Sequence, residues 1–215
     1  MNSRIPIFPL NLVMYPSAIY PLYIFEERYK KLINRCISEN TGFGVVSKLD
    51  DTISTVGSYV TISEIINTYE DGRYDILIKG EERFQIISTD IHEDGYLLAD
   101  ITPYIDEDRY TPSHSLEDKT LNKFKALLNK TEIELEERFW DKFYQANLKS
   151  FKIAEKAGLN LKQQQSLLAL RNEDDRLEFL FEHFKEIGRL PRARCSLERN
   201  CCRRWLFKTK KGISS

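Results

Sequence analysis

Four of the chain's seven prolines, Pro6, Pro9, Pro16 and Pro21, stand within its first 21 residues. They cut an otherwise apolar opening, FPLNLVMYPSAIYPLYIFEERYKKLI at residues 8–33, into short pieces. Each proline fixes φ and removes a main-chain donor, which confines it to strand edges and turns. A secretory signal needs an unbroken apolar core and a small-residue cleavage site. A membrane span needs about 20 consecutive apolar residues. The opening satisfies neither. It reads instead as extended pieces at 5–8 and 12–14, a turn at Tyr15-Pro16-Ser17, and a crossover to a helix.

The helix follows at once. Over residues 26–39, Tyr29, Leu32, Ile33, Cys36 and Ile37 recur at helical spacing and form one apolar stripe. Glu26 and Glu27 lie at the favourable end of the helix dipole, and Asn40-Thr41-Gly42 supplies a left-handed stop. From residue 43 to about 105 the apolar period becomes two. A short buried strand is expected at 43–46 and a longer one at 56–68. Two turns of one type are expected, at Tyr69-Glu-Asp-Gly72 and His92-Glu-Asp-Gly95. Between them Gly80 interrupts the alternation as a bulge or bend, with one strand ending before it and another starting at Phe84. Such a meander, with the proline-rich pieces, suffices to curl into a small barrel.

After a polar linker at 106–115 the pattern is helical, with a capping-box signature at Ser115-x-x-Asp118. One long helix is expected over 132–157, then two more beginning at Asn160 and Asn172. The predicted organisation is therefore α+β. A β-rich subdomain occupies 1–105, the linker 106–115, a helical subdomain 116–188 and a basic tail 189–215.

Charge sets the tail apart. Residues 189–215 carry nine Lys/Arg against the single acid Glu198, a net +8; with −1 for the whole chain, the preceding residues carry −9. The tail reads as disordered or as an aberrant end to the coding sequence. Three of the four cysteines, Cys195, Cys201 and Cys202, lie in it without the paired spacing of a zinc site. Cys36 falls on the apolar helix stripe. This cysteine usage, without a signal segment, points to a reducing, cytoplasmic setting.

Catalytic patterns are missing. His92, His114 and His183 are scattered, and the phosphate-loop, dinucleotide, H-E-x-x-H and G-x-S-x-G motifs do not occur. Carboxylate runs such as residues 132–137 read as a solvated helix face. A non-catalytic binding protein without metal or cofactor is the expectation.

The opening resembles the LON substrate-binding domain, the N-terminal domain of Lon-type ATP-dependent proteases. The residues that carry the resemblance are Pro9-Leu10, Tyr15-Pro16-Ser17, Pro21-Leu22 and Ile24-Phe25-Glu26-Glu27-Arg28-Tyr29. Phe43-Gly44-Val45-Val46, then Gly80-Glu81-Glu82-Arg83-Phe84, follow in the family's order. The chain departs at Ser17, where Gly is usual, and at Tyr23, where His is common. The resemblance covers roughly residues 5–187. It implies a PUA-like, antiparallel β-barrel-like half with a crossover helix, followed by a helical bundle. It also implies binding of unfolded or extended polypeptide. The chain reaches 215 without an ATPase or protease domain, so the expectation is a stand-alone form, an adaptor working with a separate protease. Self-association is possible, and no membrane partner is expected.

Two places are open for polypeptide, a cleft between the two halves and an exposed strand edge. Tyr15, Tyr20 and Tyr23 are the candidate binding residues, since tyrosine offers apolar area with a hydrogen-bonding tip. Phe25 is assigned to the core. Pro16, Pro21, Glu26, Arg28, Gly80, Arg83 and Phe84 are assigned to structure, with Arg83 expected to meet a carboxylate and pin the bend at Gly80. The alternative is nucleic-acid binding through the basic tail, which the −9 body disfavours.

Overall fold

The computed structural model describes residues 3–107 and 114–189. The expectations for residues 190–215 and most of the linker lie outside them. The chain forms two compact units: residues up to Ile105 together with Leu161–Ala169, and Asp106–Asn160 together with residues from Leu170 on.

The first unit is a seven-stranded sheet with a crossover helix. Its strands are β1 (Ser3–Leu10), β2 (Ile19–Ile24), β3 (Phe43–Leu49), β4 (Thr52–Ile53), β5 (Val56–Thr68), β6 (Tyr74–Ile91) and β7 (Leu97–Pro103). The order is β1-β7-β6-β5-β3-β4, with β2 on β6. β1 also pairs with β3, in parallel, which makes this half barrel-like. The prolines fit because each faces one strand only. Pro6 pairs with Leu98 before the contact with β3 begins at Ile7, and Pro9 pairs with Val46 after the contact with β7 has ended. Pro21 lies in β2, which pairs only with β6 among the described residues. The missing donors therefore fall where no second ladder needs them.

Three expectations change here. Residues 12–14 are buried coil rather than strand, and residues 19–24, expected as a crossover, form β2. β6 runs unbroken through Gly80. The bulge is there, since Ser58 and Val60 of β5 stand opposite Arg83 and Gly80. Gly80 admits the chain at the preceding turn: a Cβ on it would collide with the carbonyl of Tyr15. Both expected turns form with their glycines left-handed, Gly72 at φ 78° and Gly95 at φ 85°.

Helix α1 (Glu27–Glu39) buries Tyr29, Leu32, Ile33 and Cys36 and ends at left-handed Asn40, φ 51°. Ile37, expected in the same stripe, is exposed. The main core joins α1 to Phe8, Leu12, Met14, Leu22, Ile24, Phe43, Val45, Val60, Ile76 and Ile78. Phe84 anchors a second cluster with Ile5, Ile7, Val46, Ala99 and Ile101. Its ring fills the space left by Gly44 and Gly57, where an added Cβ would stand 2.7 and 2.8 Å from it.

Helix α5 (Leu161–Ala169) belongs to this first unit rather than to the helical one. Gln165 fastens it: its Oε1 accepts from Ser47 Oγ at 2.7 Å, and its Nε2 donates to the Val56 carbonyl at 2.9 Å. Arg83, 7% exposed, donates to the Leu168 carbonyl at 2.7 Å, with its guanidinium 5.2 Å from the Tyr104 ring centre. Arg83 thus holds a helix end, while the bulge at Gly80 follows from the close approach of the Tyr15 turn.

The second unit holds α2 (His114–Thr131), α3 (Glu137–Gln145), α4 (Lys149–Ala154) and α6 (Glu173–Arg189). α2 begins at His114, within the residues expected as linker. The long helix expected over 132–157 is two helices. The break is held from two sides, by Glu173 of a distant helix and by Lys149 of the segment itself. Glu173 accepts the Ser150 N–H at 2.9 Å and the Ser150 hydroxyl at 2.6 Å, satisfying the first turn of α4. Lys149 Nζ caps the end of α3, donating to the carbonyls of Tyr144 and Ala146 at 3.1 and 3.0 Å. Arg176, fully buried, bridges Glu173 at 2.9 Å and Asp106 at 2.7 Å.

Candidate functional site

The alternation of β2 decides which opening aromatics reach solvent. Leu22 and Ile24 point into the core, so Tyr23 and Phe25 point out. Tyr23 is 46% exposed and Phe25 58%. The assignment of Phe25 to the core is therefore corrected: it continues the outward phase of the strand. Tyr15 is 4% exposed, its hydroxyl 3.4 Å from the Gln164 carbonyl, and Tyr20 packs partly buried against the main core. Of the three candidate tyrosines only Tyr23 presents its ring to solvent. Tyr15 enters the core because the turn after it folds back over Gly80.

Two residues that the sequence reading did not select complete the surface. β2 pairs with β6 so that Tyr23 stands opposite Asp75, and Asp75 stands opposite Asn67 of β5. This brings the β5–β6 turn beside Tyr23. The Tyr23 and Phe25 rings stack at 5.8 Å, and the Tyr69 ring meets Tyr23 edge-on at 6.3 Å. The Arg73 guanidinium lies 5.1 Å from the Tyr69 ring centre and 5.7 Å from that of Tyr23, and donates to the Tyr23 hydroxyl. Tyr69 donates to Asp75 Oδ2 at 2.7 Å, which holds its phenol above the usual range. The Arg73 ion pair at 2.6 Å draws the Asp71 carboxyl below its usual range. The cue available in the sequence was the turn itself, Tyr69-Glu-Asp-Gly72-Arg73; only the pairing of β2 with β6 connects it to Tyr23.

The result is an exposed aromatic surface with fixed rings and one cation held over two of them. Such a surface offers apolar area and ring faces to an extended chain at small entropic cost. Glu26 and Arg28, assigned to structure, pair with each other at the start of α1. Glu26 Oε2 accepts from Arg28 at 2.8 and 3.0 Å, and its carbonyl accepts the N–H groups of Tyr29 and Lys30. Among the described residues no helix is long and apolar enough to cross a membrane.

The fold is that of Lon N-terminal domains. The Lon N-terminal domain protein from Xanthomonas campestris superposes with a TM-score of 0.64 at 23% identity, over 88% of this chain and 99% of that one. The N-terminal domain of Mycobacterium avium complex Lon protease gives 0.66 at 16% identity, over 86% and 99%. Residues 4–186 match the family described as the ATP-dependent protease La (LON) substrate-binding domain, and the chain belongs to that family. Curated relatives include the Lon protease of Buchnera aphidicola subsp. Baizongia pistaciae, 27% identical over 82% of this chain. The Lon protease of Flavobacterium johnsoniae is 28% identical over 48% of it. The chain spans 24% and 14% of the length of these two relatives.

Proposed function

We propose that this chain binds unfolded or extended polypeptide without catalysing a reaction on it, as a cytoplasmic adaptor in protein quality control that works with a separate protease. The observation that carries the reading is the exposed Tyr23–Phe25–Tyr69 surface with Arg73 laid over it, on a chain of the LON substrate-binding family. A ligand segment lies along the outer side of β2 and meets ring faces rather than a charged trough, so its affinity rests mainly on apolar burial.

The test is fluorescence anisotropy of a labelled, permanently unfolded polypeptide rich in aromatic residues, titrated with the full chain at rising salt. Saturable binding that tolerates salt, and weakens at least about tenfold in Tyr23→Ala/Phe25→Ala, is expected. Binding that disappears as salt rises would transfer the activity to the basic residues 189–215 and reject this surface.

A further inference from the structure

The end of β6 leaves a second feature that polypeptide binding on β2 does not use. On one side residues 88–91 pair with β7, from Ser88 opposite Asp100 to Ile91 opposite Leu97. On the other side β5 has already ended: its pairing with β6 stops at Gln85, and the Ile86 N–H goes to the Thr55 carbonyl at 2.8 Å. Beyond that point this edge pairs with no strand among the described residues. It carries Ile87 and Ile91, 55% and 76% exposed.

Open strand edges are normally guarded by lysine, proline, an unpaired charge or a bulge. Residues 87–91, Ile-Ser-Thr-Asp-Ile, have no lysine and no proline, and the one register shift against β7 falls at Ile87, the first residue of the segment, leaving 88–91 in regular register. Their one charge, Asp90, is occupied by Arg4 at 2.6 Å, and Ser88 donates to Asp100 at 2.8 Å. β2, by contrast, keeps Pro21 on its own edge.

The segment is also a palindrome in character: apolar, polar, threonine, polar, apolar. Antiparallel pairing with itself about Thr89 sets Ile87 of each copy opposite Ile91 of the other, Ser88 opposite Asp90, and Thr89 opposite Thr89. A two-fold contact needs this self-complementarity, in which residue i meets j and j meets i. An unrelated extended chain would match it only by chance. We propose that a second copy of this chain occupies the edge, joining two sheets through antiparallel pairing of residues 87–91 centred on Thr89.

The register gives the test. In antiparallel pairs, directly opposite Cβ atoms lie about 4.5–5.5 Å apart, close enough for a disulfide after a small adjustment. In the full chain with Cys195→Ser, Cys201→Ser and Cys202→Ser, Thr89→Cys is expected to cross-link to itself under mild oxidation. Ser88→Cys and Asp90→Cys are expected to cross-link with each other in a mixture and only weakly alone. Ile91→Lys should weaken the dimer at least about tenfold in sedimentation equilibrium while leaving the thermal melt unchanged at concentrations where the chain is monomeric, since the residue is at the surface of the single chain. A chain that sediments as a monomer at every concentration overturns the proposal. So does cross-linking no stronger at Thr89 than at Ser88 alone. Pairing of the edge with added unfolded polypeptide, the chain itself remaining monomeric, overturns it equally.

Discussion

Ser17 and Gly80 are joined by a main-chain hydrogen bond, the Ser17 N–H donating to the Gly80 carbonyl at 2.7 Å. Gly80 returns its own N–H to Ala18 at 2.9 Å, so the opening turn is sewn to the bulge of β6. Pro16 sets the first corner of this turn, and Ser17 takes the second at φ 63°, a left-handed position that favours glycine. The two sites respond in opposite directions to small changes. Ser17→Gly is expected to stabilise the fold by about 1 kcal/mol. Gly80→Ala is expected to cost about 1–3 kcal/mol or more, because the new methyl meets the Tyr15 carbonyl rather than a flexible side chain. Urea melts of the two variants decide it; equal small effects would mean that the turn is not held as described.

The aromatic pair and the buried tyrosine should also separate. Tyr23→Ala and Phe25→Ala remove rings that already face solvent, so each should change stability by no more than about 0.5 kcal/mol. Tyr15→Ala empties a core position and should cost about 3–5 kcal/mol, as other large aromatic truncations do. If Tyr15→Ala melted like the parent chain, its ring would not be in the core.

Arg176 offers a test in the helical unit. Its guanidinium donates to Asp106, Glu173, Ser150 and the Leu170 carbonyl. Removing it strands Glu173 as a buried carboxylate, so Arg176→Met should cost roughly 3–5 kcal/mol. Arg176→Lys should recover little, since an ammonium does not span a planar fork of acceptors. Full rescue by lysine would show that charge alone is needed.

Cys36 makes alkaline stability readable. Burial pushes its thiol up to about 11, whereas an unfolded thiol titrates near about 8.5. Between those values the unfolded chain has released the proton and the folded chain has kept it. The unfolded state then binds fewer protons, so stability falls as pH rises through this window, by about 3 kcal/mol when complete. Melting temperature against pH should fall more steeply for the parent than for Cys36→Ala between about pH 9 and 11. Parallel curves would remove Cys36 as the cause.

Local chemistry explains what the sequence made legible. β5 runs from Val56 to Thr68 as expected, because alternation and the Gly72 turn both mark it. α1 and its Asn40 stop were legible for the same reason. β2 was not, because Pro21 reads as a break unless it is known that the strand has a single neighbour among the described residues. The division between α3 and α4 was hidden because Glu173, on another helix, satisfies the new helix start. At the candidate site, Tyr23 could be selected from its own neighbourhood. Tyr69 and Arg73 could not, since a register between distant strands brings them to it.

The first unit is assembled from two separated stretches of chain. During synthesis from the N-terminus, the sheet strands emerge long before α5, with residues 106–160 made in between. Until α5 arrives, the side chains of Ser47 and Arg83 lack the Gln165 amide and the Leu168 carbonyl that they meet in the finished fold. A nascent chain stopped at residue 105 would therefore hold every strand and still lack the clasp. The clasp on the sheet can close only after residues 106–160 have been made.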